Sequence, residues 1–333
     1  PLIPLIIIQS VFSPPTTTDA LNYHLVRVFM WFQNRSVLQD QLYTTHDYMP
    51  KFGNILQLVA YAIGGDWLTW LPQFVSWLGI GIISHQILSS ISTQSKKLKK
   101  YSVLLLMTMP MLLLQASSTQ VDLIATFYFL LSVYFLVTFI KQSKSRLLYF
   151  SIISFCFSVL TKPTLLFTST VLLLLILPHI KKLSLKQWFF SLLLTSFFVG
   201  TWITEVIAVF GHFEITQKQG SSNLPYLISN ITLGSIIIGT IKNILLQIPV
   251  PFFNTSLYGL LSHFSEILKA SINDPQYNFN NTKFVLRPLP IPQEDVASNP
   301  LHFLLILYGA FKLKIKQVYA TIPGRLLLGT GLG

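Results

Sequence analysis

The stretch K-K-L-K-K-Y-S-V-L-L-L-M-T-M-P-M-L-L-L-Q-A-S-S-T-Q-V-D-L-I-A-T-F-Y-F-L-L-S-V-Y-F-L-V-T-F-I-K-Q-S-K-S-R, residues 96–146, decides the reading of the whole chain. It opens on four lysines, runs apolar over 101–116, turns at a short polar hairpin, and runs apolar again over 121–140 before a second basic cluster. A hydrocarbon core about 30 Å thick takes roughly 20 mostly apolar residues in a helix. Basic residues gather on the cytoplasmic side of such spans. The pattern therefore predicts a span outward and a span back, with the lysines inside and Asp122 at the outer mouth.

Working outward, residues 1–12 read as the outer end of a first span, and 13–66 as a mixed polar and aromatic loop outside the hydrocarbon. Residues 67–90 form a span, with Trp67, Trp70 and Trp77 near its outer end as an aromatic belt. Spans follow at 147–161, 164–178 and 187–209. Lys181, Lys182 and Lys186 then fall on the same side as the earlier clusters. Residues 210–299 read as non-cytoplasmic or interfacial, with the apolar part 231–268 lying on the membrane as interfacial helices. Residues 300–311 begin another inward span. The expected fold is thus all-α, a polytopic transmembrane bundle forming a single domain over 1–333. The chain starts inside an apolar stretch and ends without a polar tail, which reads as a piece of a longer protein.

Composition agrees. The 333 residues are 52% hydrophobic and 10% charged, with mean hydropathy +0.59, whereas soluble domains carry about 25% charged residues. A net charge of +12 would suggest nucleic acid in a soluble protein. Here the positives are short clusters between apolar runs, so no nucleic-acid partner is expected. Cys156 is the only cysteine, which excludes an intrachain disulfide and a thiolate metal cluster.

The acids lie in, or beside, segments on the side away from the lysine clusters. In the first outer loop, Leu21, Leu25, Val28, Phe29 and Phe32 make one apolar stripe of an amphipathic interfacial helix. His24, Arg27 and Trp31 share another face. Asp19, after three threonines, reads either as a helix N-cap or as a chemical group. Asp122 reads as a functional acid near lipid or as a loop acid capping the next helix. Lys162, in L-T-K-P-T, is a lone lysine where lysines are sparse; Pro163 biases it away from helical geometry. It reads as a point charge for a phosphate or as a snorkelling interfacial lysine. Glu294 and Asp295 suit a metal or sugar, with Asn299 and His302 nearby, or a solvated pair capping the helix at Pro300. Glu205 suits the cavity or an arginine partner. His46 and Asp47 are weaker candidates. No Gly-rich phosphate loop, HExxH or GxSxG pattern occurs.

The loop D-A-L-N-Y-H-L-V-R-V-F-M-W-F-Q-N, residues 19–34, resembles bacterial members of the GT-C superfamily. These are polytopic glycosyltransferases related to protein O-mannosyltransferases, the aminoarabinose transferases of lipid A and Rgt-type transferases. Similar loops there read roughly D-S-L-x-Y-H-L-P-R-V-x-x-W-x-Q-N-G-S. The hairpin S-S-T-Q-V-D-L-I-A-T-F, the turn L-T-K-P-T and the late loop E-D-V-A-S-N-P-L-H are similar too. Val26 stands where proline is common, Arg35 where glycine is common, and Pro163 where glycine usually follows the lysine. The resemblance implies a multi-pass membrane enzyme of bacterial plasma membranes with its site on the non-cytoplasmic face. It implies a polyprenyl-phosphate sugar donor, inversion at the anomeric carbon and a cell-envelope acceptor. Asp19 would be the general base, Lys162 and Arg27 the phosphate-stabilising cations, and Asp122 a second acid. His24, Glu294 and Asp295 would contact substrate, and no metal or other cofactor is required. The rivals are a transporter or flippase of lipid-linked substrates, and a non-catalytic envelope subunit.

Overall fold

The structure, a computed structural model, describes residues 2–13, 15, 17–38, 49–210, 232–247, 254–273, 283–284, 299–312, 322 and 326. All secondary structure among the described residues is helical. The helices are α1 (Leu2–Phe12), α2 (Leu25–Asn34), α3 (Phe52–Gly64), α4 (Leu71–Ile91), α5 (Lys96–Met107), α6 (Pro110–Ala116), α7 (Asp122–Gln142), α8 (Ser145–Val159), α9 (Ser169–Ile176), α10 (Leu185–Phe210), α11 (Leu233–Gln247), α12 (Asn254–Ile267) and α13 (Pro300–Lys312). Among the described residues, four helical segments are long and apolar enough to cross a membrane: Leu71–Ile91, Asp122–Gln142, Pro163–Lys182 and Leu185–Val209. At 1.5 Å per residue a helix of 21 residues is about 30 Å long, the thickness of the hydrocarbon core. The chain is a multi-pass membrane protein.

The chain divides into two compact units, one of Pro1–Phe213 with Gly309–Gly333 and one of Glu214–Tyr308. The second falls largely within the segment expected to be interfacial. In the first unit, α4 and α7 run parallel. At one end the Gln73 side chain accepts from the amides of Leu123 and Ile124, at 2.9 and 3.1 Å. At the other end the Lys141 ammonium donates to the Ser90 carbonyl. Gln73 therefore supplies from α4 the acceptor that the first turn of α7 lacks. Helix α8 runs antiparallel to α7. Ser151 meets Ser132 midway along, and Ser158 donates to the Ala125 carbonyl at 2.9 Å near the end. Small hydroxylated residues let two helices approach closely in lipid and bond across the gap.

Two expectations change. The span 101–116 is two helices, broken where Thr108 and Met109 leave helical geometry before Pro110. The ring of Pro110 disfavours helical backbone at Met109, which is extended at φ −58° and ψ 126°. Of the tryptophans expected in a belt, only Trp67 is exposed. Trp70 and Trp77 are buried beside Phe74 in a core under α4 and α6.

Candidate functional site

The apolar stripe expected in residues 19–34 is divided. Leu25 and Val28 are buried and Leu21, Phe29 and Phe32 exposed, while His24, Arg27 and Trp31 of the other face are buried too, at 7%, 1% and 2% exposure. A buried guanidinium needs acceptors, and α3 and the residues just ahead of it provide them. Arg27 donates to the Asn54 Oδ1 at 2.9 Å and to the Pro50 carbonyl at 3.3 Å, and lies over the Trp31 ring. The donor-only guanidinium fixes the Asn54 amide orientation. Its Nδ2 then faces the His24 Nδ1 and the Gln57 Oε1, both at 2.9 Å. Because an amide nitrogen only donates, the His24 Nδ1 is the acceptor. The Gln57 Nε2 in turn donates to the Thr119 carbonyl and to the Gln120 carbonyl, the latter at 3.1 Å. A continuous buried polar network thus runs from α2 through α3 to the hairpin that precedes Asp122.

That hairpin meets α3 again at Gly53. A Cβ placed there would come within 2.8 Å of Val121 and 2.9 Å of Thr161. The amide of Phe52 donates to the Leu160 carbonyl at 3.1 Å, and its ring stacks on Phe157. The residues just before Asp122 and just before Lys162 are therefore both packed against the start of α3.

The charged groups gather around this junction. Lys162 is extended, at φ −144° and ψ 106°, as the following proline requires. Its ammonium pairs with Asp122, the first residue of α7, which also accepts from the Gln115 side chain at 3.4 Å. The Lys162 side chain retains 42% of its exposure and that of Asp122 22%, so the pair borders solvent. Asp19 is exposed and makes no capping hydrogen bond to the backbone. One of its oxygens instead accepts from the Tyr23 hydroxyl at 3.1 Å. Burial, and after it the negative charges of Asp19 and Asp122, push the Tyr23 phenol far above its usual range. Tyr23 thus stays protonated, donates to Asp19, and lies close enough to Asp122 to feel it. A second ion pair joins Lys51, just before α3, to Glu205 near the end of α10. The Lys51 ammonium also reaches the Val37 carbonyl at 3.2 Å and lies 5.6 Å from the centre of the Trp31 ring.

Of the residues singled out in the sequence, Asp19, Asp122 and Lys162 thus lie around one junction. His24 and Arg27 adjoin it from beneath, turned inward. Glu205 meets a lysine rather than an arginine. His46, Asp47, Glu294 and Asp295 lie outside the described residues. Asn299 bonds the Gln247 side chain at 3.1 Å. Among the described residues, no group of three or more His, Cys, Asp and Glu side chains converges in the manner of a metal site.

Sequence reading missed Tyr23, Lys51, Asn54 and Gln57. Each left a signal: Tyr23 lies one helical turn after Asp19, and Lys51 is another lone lysine away from the lysine clusters. Asn54 and Gln57 are polar residues three apart in an otherwise apolar helix. A cavity of about 430 Å³ lies alongside, lined by Leu21, Phe29, Asp66, Trp67, Trp70 and Thr119 among others. Asp19, Asp122 and Lys162 are not part of its wall.

No protein-family model matches the chain, and no curated protein matches it in sequence. Among solved structures, the chain is similar to the crystal structure of ArnT from Cupriavidus metallidurans in the apo state, with 15% identity and a TM-score of 0.49. The match covers 96% of this chain and 60% of that one, so the chain spans about three-fifths of the length of that protein.

Proposed function

We propose that the chain is a membrane glycosyltransferase that moves a sugar from a polyprenyl-phosphate donor to a cell-envelope acceptor, with inversion, on the non-cytoplasmic face. The observation that carries this reading is the gathering of Asp19, held by Tyr23, with the Asp122–Lys162 pair around the start of α3. The residues that meet there are those of the loop, hairpin and turn that resemble the GT-C superfamily.

In this reading the acceptor hydroxyl gives its proton to the exposed oxygen of Asp19 as its own oxygen bonds to the anomeric carbon. The bond from that carbon to the phosphate oxygen breaks, and the electron pair leaves with the phosphate. Tyr23, remaining protonated, aims the Asp19 carboxylate without competing for the proton. Lys162 supplies a point charge where negative charge grows on the leaving group, while Asp122 holds the ammonium until substrate arrives. Arg27 and His24 act from beneath, by fixing α2 against α3. A transporter would be expected to keep its charged residues near mid-membrane. The acids of the four long segments, Asp122 and Glu205, instead lie within about two turns of their helix ends.

The test is transfer by the purified protein from labelled polyprenyl-phosphate sugars, wild type against Asp19→Asn. A lost general base lowers turnover ~10²–10⁴-fold while donor binding persists. Undiminished transfer by Asp19→Asn contradicts the assignment.

A further inference from the structure

The helical hairpin of the second unit has two unlike faces. Helix α11 packs through Gly234 and Ile238, and α12 through Leu261 and Ser265. A Cβ on Gly234 would lie 2.6 Å from the Leu268 carbonyl, so the start of α11 adjoins the end of α12 and the helices run antiparallel. Each also exposes an apolar stripe. On α11 it is Leu233, half-buried Ile237 and Ile244, with the exposed Thr240 among them giving its hydroxyl to the Ile236 carbonyl at 2.8 Å; on α12 it is Leu260, Phe264 and Ile267.

Handedness fixes how the stripes relate. Successive residues of an α-helix turn by about 100°. Viewed from each helix's own N-terminus, its stripe lies roughly 100° counter-clockwise of the contact line. Since the helices run in opposite directions, the two offsets point to the same side of the hairpin. The stripes therefore merge into one apolar face. Ser235, Asn243, His263 and Glu266, with Ile236 and Leu246, lie off it.

The lengths say what this face meets. Helices of 15 and 14 residues are about 22 and 21 Å long, short of the roughly 30 Å of a hydrocarbon core. Lys242 at mid-helix keeps its ammonium inside the hairpin, on the Ile272 carbonyl at 3.1 Å and over the Phe284 ring. It therefore sets no charge on the apolar face. The rest of the chain carries bilayer-length apolar helices, so a membrane surface is always at hand. We infer that α11 and α12 form an amphipathic raft, with its Leu233–Ile244 and Leu260–Ile267 stripes sunk together into the lipid interface.

The experiment places an environment-sensitive fluorophore on single cysteines of the full chain in nanodiscs, in a Cys156→Ala background. Phe264→Cys reports the stripe and Glu266→Cys the polar flank. Spin-labelled lipids carry the quencher either near the headgroup or deep in the acyl chain. An interfacial helix sits ~5–10 Å into the headgroup boundary. The expected result is a blue-shifted label at 264, quenched more by the shallow lipid than by the deep one, with 266 little quenched by either. Strongest quenching by the deep lipid means a span and overturns the inference. So does equal quenching at 264 and 266, or none at 264. Should Phe264→Cys fail to accumulate, Ile267→Cys reports the same stripe.

Discussion

At the lysine-rich end of the first unit, Lys96, Lys97, Lys100, Lys141, Lys144, Arg146, Lys181, Lys182 and Lys186 are all exposed, and the one bond seen from Lys141 goes to a backbone carbonyl. At the opposite end Lys51 and Lys162 each meet a carboxylate, Arg27 is buried, and the surrounding amides form one network from α2 to the Asp122 hairpin. The difference lies in what each position must accomplish. Charges that only set orientation across a bilayer work best solvated, where losing one disturbs nothing. Charges held against acids, amides and an aromatic ring are costly to bury unless fully bonded. Their geometry is correspondingly strict.

The contrast can be broken by substitution. The largest effect is on transfer: Asp19→Asn lowers it ~10²–10⁴-fold, whereas Lys97→Gln at the other end leaves it unchanged, both read by the same product assay. Next is the network. Gln57→Ala removes the donor shared by the Thr119 and Gln120 carbonyls and costs ~1–3 kcal/mol, read by thermal unfolding in nanodiscs. The matched change Ser145→Ala removes the part-buried bond to Gln187 and costs ~0.5–1.5 kcal/mol or less. Gly53→Ala forces α3 off Val121 and Thr161, at ~1–3 kcal/mol, and lowers transfer by disturbing both charged loops together. The smallest effect is shared by the two ends. Arg35 after α2 and Ser143 after α7 both hold left-handed backbone, at φ 52° and 54°. Arg35→Gly and Ser143→Gly each relieve that strain and raise stability by ~0.5–1 kcal/mol.

Arg35 also shows how far the sequence could be read. Similar loops carry glycine there, and the left-handed helix end explains why. The long apolar runs gave the spans at 67–90, 121–140, 164–178 and 187–209, because length and hydropathy are local properties. Pro163 gave the extended Lys162 for the same reason. What stayed hidden depends on partners distant in sequence. Nothing near Arg27 tells that Asn54 and the Pro50 carbonyl will draw it inward, so its face is buried together with Leu25 and Val28 of the apolar stripe. Gln73 reads as a stray polar residue until Leu123 and Ile124 arrive beside it. Asp19 reads as a helix cap or as a chemical group, and only the Tyr23 hydroxyl beside its carboxylate, with no capping bond, separates the two.

Sidedness tests the arrangement most directly. Single cysteines at Asp19→Cys, Lys162→Cys and Lys97→Cys, in a Cys156→Ala background, are exposed in intact cells to a membrane-impermeant maleimide. Positions 19 and 162 should react from the outside at comparable rates, and position 97 only after the membrane is opened. Reaction of 19 and 162 from opposite compartments would show that no single cleft holds them.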